Sequence, residues 1–282
     1  MPELAYLNSR FCAIEEAAVP VNDRGYQFGD GVYEVVRSYA GRLWALERHM
    51  QRLKRSLSEI GITGIETDVI SKKVRKAFFK SWIQDAVVYI QITRGVQPRS
   101  HAWKDGLTPS LLITVRRIRE LPAETYVSGV EVITADENRW KRRDIKSINL
   151  LPNCIALKEA ENQEAYETVF IENGHVTEAA SASLFIATGG TLVTRGPGPC
   201  TLPGVTQQLI LECAQELGIL TEERTFTPEE MFAADEAFLS STTAGVIGIR
   251  AIDSKPAGSS CPGELTRRIS TAYTERVENH RD

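Results

Sequence analysis

Apolar residues recur along this chain with two different periods, and these periods predict alternating strands and helices. Short β-branched and aromatic runs at 4–11 and 32–46 are typical of strand pairs, with turns at Asn8–Ser9 and Ala40–Gly41. The next segment predicts an amphipathic helix that ends near Gly61, since its apolar residues have helical spacing: Leu46, Met50, Leu53, Leu57 and Ile60. A second helix is predicted over about 67–82, and two buried strands follow in AVVYIQITRG and SLLITVRRI.

The pattern changes at residues 118–128, where the chain becomes polar and contains a proline. We interpret this stretch as a linker between a small N-terminal domain, 1–117, and a larger C-terminal domain, 129–282. The second domain is predicted to begin with a strand, VEVITA, and to continue with a helix over about 153–164 and hairpins that turn at 173–174 and 189–190. Because strands and helices alternate without regular βαβ units, we predict an α+β fold.

Composition narrows the functional classes. The chain has 282 residues, with 33 Lys and Arg against 37 Asp and Glu, which gives a formal net charge of −4. Near-neutral charge argues against nucleic acid or an anionic membrane as the main partner. The five cysteines form no C-x-x-C pair: Cys12, Cys154, Cys200, Cys213 and Cys261. Without a signal-peptide pattern or a long apolar stretch, the sequence predicts a cytoplasmic enzyme.

Several common active-site motifs do not occur in this sequence. It contains no G-x-G-x-x-G after a strand, no P-loop, no H-E-x-x-H and no G-x-S-x-G. The four histidines do not pair with one another or with cysteine at ligand spacing: His49, His101, His175 and His280. We therefore expect neither a metal site nor a Ser-His-Asp enzyme.

A run of basic residues at 139–146 carries the first candidate for chemistry. It places five cations within eight residues, and Lys146 is followed by the apolar sequence SINLL. A solvated basic loop is one interpretation. The other is that Lys146 enters the folded interior, where desolvation and cationic neighbours lower the pKa of its amine and favour a Schiff base.

Three further segments suggest sites for an anionic cofactor, and each also has a purely structural interpretation. Glu178 ends a predicted strand, where it could pair with a pyridine nitrogen or be a surface glutamate at a sheet edge. The turn at Gly204 opens a helix with Val205 and Thr206, which could bind phosphate through its first amides or be an ordinary capped helix. The hydroxyl run 240–243 could bind phosphate or form a polar turn.

Two segments of the first domain are candidates for substrate binding. The sequence NDRGYQFGDGVYEVV, residues 22–36, combines three glycines with aromatic residues and is typical of tight backbone beside a pocket, or of a structural loop. In TRGVQPRSH, residues 93–101, Arg99 and His101 could both donate to one carboxylate, although surface exposure is the simpler interpretation.

In chain order, these segments resemble the fold-type IV pyridoxal-phosphate aminotransferases, and among them the bacterial D-amino acid aminotransferases. The resemblance rests on blocks that run through nearly the whole chain: DRGYQFGDGVYEVV, HMQRL, TRGVQPRSH, RWKRRDIKSINLL, VTEAASASLF, LPGVT and SSTT. It implies an α+β fold with a small N-terminal α/β domain and a larger C-terminal domain that has a β-barrel-like core. It also implies pyridoxal 5′-phosphate as the cofactor and a homodimer as the working unit.

The resemblance further implies roles for individual residues. Lys146 would form the Schiff base and move the Cα proton, and Glu178 would pair with the pyridine nitrogen. The other cofactor-binding residues would be Arg52, Ser181, Leu202, Val205, Thr206, Ser241 and Thr242. The substrate-binding residues would be Tyr33, Val35, Arg99 and His101, with the last two contributed by the neighbouring subunit.

Transamination between a D-amino acid, with D-alanine as the expected donor, and 2-oxoglutarate is the activity that this resemblance implies. Branched-chain L-amino acid aminotransferases and aminodeoxychorismate lyases share the scaffold and remain alternatives, although they are not expected to carry the Arg99-x-His101 pair. A non-catalytic anion- or RNA-binding protein that uses 139–146 is a further alternative. The net charge of −4, and Trp140 as the one aromatic residue within the run, count against it.

One loop departs from the family pattern. Relatives commonly have Ser or Thr two residues after the glutamate and Asn three residues further on, where this chain has Ala180 and Ser183. We therefore expect hydroxyl contacts from this loop to differ, with Ser181 nearby, and cofactor affinity or acceptor preference could differ with them.

Overall fold

In the computed structural model, which describes residues 3–280, the chain divides into two compact units. The first runs as far as Arg119 and also includes Ile145–Asn149, and the second contains Glu120–Asp144 and the chain from Leu150 onward. The predicted linker at 118–128 thus begins where the chain passes between units, and most of it forms a short helix, Ala123–Ser128. No described helix is both long and apolar enough to cross a membrane.

The first unit is a six-stranded antiparallel sheet covered by two helices. Its strands are β1 (Leu4–Leu7), β2 (Arg10–Cys12), β3 (Gly31–Tyr39), β4 (Arg42–Leu43), β5 (Ala86–Thr93) and β6 (Ser110–Arg117), in the order β2-β1-β6-β5-β3-β4. Its helices are α1 (Arg24–Phe28), α2 (Leu46–Glu59) and α3 (Thr67–Ser81), with a 3-10 turn at Ile14–Glu16. The two predicted amphipathic helices and both predicted strand pairs are present.

Strand alternation in β3 separates a core face from a second face. Val32 and Val36 are fully buried and pack with Leu53 of α2. Because successive side chains of a strand point to opposite sides, Tyr33 and Val35 lie on the other face, and both are only partly buried. Strand β3 therefore presents the two candidate substrate-binding residues together, away from the helices.

The second unit is built on a mixed nine-stranded sheet. Its strands are β7 (Val130–Asp136), β8 (Glu167–Glu172), β9 (His175–Ala179), β10 (Ser183–Thr188), β11 (Thr191–Thr194), β12 (Thr221–Glu223), β13 (Glu236–Ser241), β14 (Gly245–Ile252) and β15 (Lys255–Pro256). The path is β12-β11-β10-β13-β14-β7-β8-β9, with β15 on β14. Its helices are α4 (Ala123–Ser128), α5 (Leu151–Asn162), α6 (Val205–Glu216), α7 (Pro228–Ala233) and α8 (Glu264–Glu278).

This sheet curls around one apolar core. Strand β9 is the last in the path, whereas β10 is third from the other end, yet only residues 180–182 join them. So short a connection requires the sheet to bend back on itself, and side chains from β7, β9, β10 and β14 share one core. The predicted α+β class with a barrel-like core is confirmed.

Candidate active site

Lys146 lies in a short segment that the first unit holds by main-chain hydrogen bonds. Strand β4 pairs only with the far end of β3, at Ser38 and Tyr39, which leaves the beginning of that edge open. There the Tyr33 amide donates to the Lys146 carbonyl at 2.9 Å, and the Ile148 amide donates to the Gly31 carbonyl at 3.1 Å. These bonds explain why 145–149 belongs to the first unit, although the sequence analysis placed it in the C-terminal domain.

The Lys146 side chain faces the phenol of Tyr33. Its Nζ lies 3.3 Å from the Tyr33 hydroxyl and 4.3 Å from the centre of the ring. The Tyr33 ring stacks on Tyr89 at 5.6 Å between centroids. Burial, with a smaller contribution from Tyr33, raises the pKa of Tyr89 to about 12, so Tyr89 remains a neutral phenol at physiological pH. The partly exposed amine therefore has a fixed aromatic wall beside it.

A buried cluster of charged residues lies between β3 and α2. Glu34, on the core face of β3, accepts hydrogen bonds from Arg52 Nε at 2.7 Å and Arg52 Nη2 at 2.8 Å. The same carboxylate lies 2.8 Å from His49 Nδ1. Burial alone would raise the pKa of Glu34, but Arg52 and His49 outweigh it and hold that pKa well below its usual range. The expected phosphate ligand Arg52 is thus anchored by a buried carboxylate.

In the second unit, Glu178 lies on β9 with both carboxylate oxygens occupied. Arg139 Nη1 donates to Oε1 at 2.8 Å, and the Leu202 amide donates to Oε2 at 2.9 Å. Burial raises the pKa of Glu178 above its usual value, and Arg139 and the Leu202 amide oppose that rise. The surface-glutamate interpretation is wrong, because only 9% of this side chain is exposed.

The arginines of the basic run are paired with carboxylates. Arg139 bonds to Glu137 as well as to Glu178, Arg142 bonds to Asp144, and Arg143 bonds to Glu172: these pairs are 2.5–3.0 Å long. The solvated-loop interpretation is wrong for Arg139 and Arg143, whose side chains are 7% and 2% exposed. The expectation that these cations act on the Lys146 amine therefore gains no support from their contacts.

The beginning of α6 fits an anionic group. Its first amides, at Val205 and Thr206, have no carbonyl one turn earlier in the helix to bond to. A Cβ built on Gly204 would lie 2.7 Å from the Ser183 hydroxyl and 3.0 Å from Gln207 Cβ, so this turn leaves little room for a side chain. Ser240 pairs in register with Ser183, and its buried hydroxyl has no hydrogen-bond partner among the residues that the structure describes. The donor set suits a phosphate, because amides and hydroxyls can all donate to its oxygens.

The other hydroxyls predicted for the cofactor have protein partners or lie in turns. Ser181 donates to Glu167 Oε2 at 2.5 Å, so its proton is already in use. Ser241 accepts a bond from the Ala244 amide at 3.2 Å, and Thr242 lies in the same turn between β13 and β14. Leu202 is held next to Glu178 by the hydrogen bond that its backbone amide donates to that carboxylate.

Arg99 and His101 are brought together on one aromatic side chain. The Arg99 guanidinium lies 4.6 Å from the centre of the Phe28 ring, and the His101 ring lies 5.6 Å from it. Arg24 fixes the backbone between them by donating to the Ser100 carbonyl at 2.6 Å and the His101 carbonyl at 3.0 Å. Both candidate residues are exposed, so their donors can reach a ligand or another chain.

Sequence reasoning missed the carboxylates behind the site. Glu34 could have been noticed, because alternation in VYEVV places a glutamate between two core valines. Glu137 could not be noticed in this way, because nothing in the sequence distinguishes its partner Arg139 from the other cations of the basic run. Within the described residues, no group of three or more His, Cys, Asp or Glu side chains could hold a metal ion.

Comparison with known proteins places these features in a family. Residues 31–252 match the model described as amino-transferase class IV. A D-alanine aminotransferase of Bacillus licheniformis is 39% identical over 271 residues, which cover 96% of this chain and 95% of that protein. One of Staphylococcus aureus (strain MSSA476) is 33% identical and covers 99% of each chain. The solved branched-chain amino acid aminotransferase of Escherichia coli has a TM-score of 0.90 at 24% identity, over 98% of this chain and 94% of that one.

Proposed function

This chain belongs to the class IV aminotransferases, and we propose that it exchanges amino groups between D-alanine and 2-oxoglutarate, giving pyruvate and D-glutamate. The observation that carries the proposal is the 39% identity to a D-alanine aminotransferase over nearly the full length of both chains. The likeness to the branched-chain enzyme, at 24% identity, concerns the fold alone and favours no second function. Five free cysteines are consistent with work in the cytoplasm.

We assign pyridoxal 5′-phosphate as the cofactor of this chain. When bound, it carries the amino group and withdraws electrons from the Cα atom of the substrate. The proposed ligands in the first unit are Lys146 and Arg52. Those in the second are Glu178, Leu202, Val205, Thr206, Ser241 and Thr242, with Ser181 close to them in the chain. The crowded turn at Gly204 and the Ser240 hydroxyl, which has no partner within residues 3–280, support a phosphate at the beginning of α6.

Lys146 is the proposed catalytic residue. Its Nζ would attach the cofactor covalently, and after release by the incoming amino acid it would take the proton from Cα. The Tyr33 hydroxyl, 3.3 Å away, orients that amine, and the main-chain bonds to β3 fix the segment that carries it. A base held by a strand edge in this way keeps the same approach to Cα from one turnover to the next.

Two charged residues are proposed to hold the ends of the cofactor. Glu178 would present a negative charge to the ring nitrogen and keep it protonated. Arg52 would donate to the phosphate, with Glu34 behind it fixing the plane of its guanidinium through two hydrogen bonds. These two side chains would bind and orient the cofactor without forming a covalent bond to it.

The substrate carboxylate is proposed to bind Tyr33, Arg99 and His101, with Val35 as an apolar wall. Arg99 and His101 would come from the partner subunit of a homodimer. Exposed apolar side chains occur in the loop that carries Arg99 and His101 and in the segment 21–26. A dimer interface would cover them: Val21 (72% exposed), Tyr26 (77%), Val96 (43%) and Trp103 (51%). The carboxylate trap would then be complete only in the dimer.

The experiment is a coupled assay of the purified holoenzyme with D-alanine and 2-oxoglutarate. Pyruvate and D-glutamate should form in equal amounts, and Lys146→Ala should abolish the reaction. Lys141→Ala removes an exposed lysine of the same run and serves as the matched control, with activity unchanged. Borohydride reduction should attach the cofactor to Lys146 alone. Activity in Lys146→Ala, or attachment elsewhere, would refute the assignment.

A further inference from the structure

Arg139 is the buried link between two carboxylates of the second unit. Its Nε and Nη2 bind Glu137 at 2.9 Å and 2.7 Å, and its Nη1 binds Glu178 at 2.8 Å. The guanidinium also lies over the Phe170 ring at 4.4 Å. A planar group held along one edge by Glu137 and on one face by Phe170 has little rotational freedom, so the direction of Nη1 towards Glu178 is fixed.

Glu137 is itself held in place. Its Oε2 accepts a bond from Thr177 Oγ1 at 3.1 Å and lies 3.5 Å from Arg143 Nε. Arg143 in turn pairs with Glu172 at 2.5 Å. The charged groups around Glu178 are therefore Arg139 directly, Glu137 next to it, and Arg143 beyond Glu137. Of these, only Arg139 donates a hydrogen bond to Glu178.

We propose that Arg139 is a positioning residue that keeps Glu178 ionised and aims it, with Glu137 as the clamp that orients Arg139. This inference rests on the proposed role of Glu178 as partner of the cofactor's ring nitrogen. A carboxylate can hold that nitrogen protonated only while it carries its own negative charge. One arginine of the basic run, Arg139, thus serves the carboxylate on strand β9.

Removal of Arg139 would leave two buried carboxylates near each other without their shared cation. Burial and the charge of Glu137 both favour protonation of Glu178, and Arg139 is the main opposing influence. Each unit by which the pKa of Glu178 exceeds the working pH lowers its ionised fraction about tenfold. The neutral acid would then no longer stabilise a protonated ring nitrogen.

The test compares Arg139→Met, which keeps the length and removes the charge, with Arg139→Lys, which keeps the charge. For the holoenzyme with D-alanine, Arg139→Met should lower kcat by at least about tenfold. The KM should change little, and the pH at which the absorbance of bound cofactor changes should move. Arg139→Lys should restore part of kcat and of the spectral transition. Arg142→Met is the control, since Arg142 pairs with Asp144 and is 43% exposed.

A second readout uses the cofactor-free full chain. When a carboxyl group has a higher pKa in the folded chain than in the unfolded chain, the folded chain binds more protons at pH values between these two pKa values. The free energy of unfolding therefore falls as pH rises through this range. The stability lost in Arg139→Met should therefore grow from pH 5.5 to pH 8, whereas any loss in Arg142→Met should stay constant.

Wild-type kcat and an unchanged spectral transition in Arg139→Met would overturn the inference, as would an equal loss in Arg142→Met. Failure of the wild type to transaminate D-alanine would instead overturn the proposed function. The two failures are distinguishable, because the unfolding measurement requires neither substrate nor cofactor.

Discussion

Buried ionisable side chains make the stability of the first unit depend on pH, and His49 is the clearest case. Burial lowers the pKa of His49, Glu34 opposes this effect, and the cations Arg52 and Lys146 add to it. His49 is therefore neutral in the folded chain at pH values where the unfolded chain already binds a proton. Neutral, buried His49 therefore contributes fully to the free energy of unfolding at pH values above the ordinary histidine pKa of about 6.5. This contribution is lost progressively as pH falls below that pKa.

We predict that the urea midpoint of the full chain falls between pH 7.5 and pH 5.5, and that His49→Gln removes part of this fall. Each unit of pKa shift corresponds to about 1.4 kcal/mol of unfolding free energy. His175→Gln, at a partly exposed histidine, should retain the wild-type dependence. An identical fall in wild type and His49→Gln would contradict the coupling.

At the level of single residues, the sequence revealed chemical types but not partners. Lys146 and Glu178 could be selected because a cation precedes an apolar run and a carboxylate ends a strand. The partners Glu34 and Glu137 could not, since each acts by binding an arginine whose role is visible only once the strands are assembled.

At the level of elements, the substrate loop depends on helix α1. Arg24 binds Asp30 at 2.7 Å and two carbonyls of the loop, and Phe28 supplies the surface on which Arg99 and His101 rest. The aromatic platform is thus part of the proposed carboxylate trap, even though it carries no polar donor.

We predict that Phe28→Ala raises the KM for 2-oxoglutarate about two- to fivefold, which is the value of one exposed cation–π contact. Arg99→Ala should raise it about tenfold or more, because a charged donor is lost. Cofactor absorbance should stay unchanged in both. Phe79→Ala, at a 72% exposed phenylalanine on α3, is the matched control. A loss of bound cofactor without a change in KM would show that the loop has another role.

Helices and turns could be predicted from local sequence patterns more readily than the pairing of segments that are distant in the chain. The spacing of Leu46, Met50 and Leu53 predicted α2, and Asn8–Ser9 predicted the first turn. The attachment of 145–149 to β3 could not be predicted, because it joins residues more than a hundred positions apart through backbone bonds that have no sequence signature.

At the level of the whole molecule, the proposed active site needs two copies of the chain. If Arg99 acts across the interface, a hybrid dimer of Lys146→Ala and Arg99→Ala contains one doubly defective site and one intact site. If Arg99 acts within its own chain, both sites of the hybrid are defective. The arrangement of subunits therefore has a kinetic signature.

We predict that differently tagged Lys146→Ala and Arg99→Ala chains, coexpressed and purified as the hybrid, regain about half of wild-type activity at low 2-oxoglutarate. Each variant dimer alone, purified through the same tags, provides the baseline. No gain above the Arg99→Ala baseline would place Arg99 in the site of its own chain.

Paired enantiomers test the proposed selectivity for D-amino acids most directly. The holoenzyme, with 2-oxoglutarate in excess, is given D-alanine, L-alanine or L-leucine, and 2-oxoglutarate consumption is followed for each. We predict that D-alanine reacts at least about a hundredfold faster than either L-amino acid, as expected for a site that positions the carboxylate by paired charged donors. Faster consumption with L-leucine would contradict it and favour a branched-chain aminotransferase.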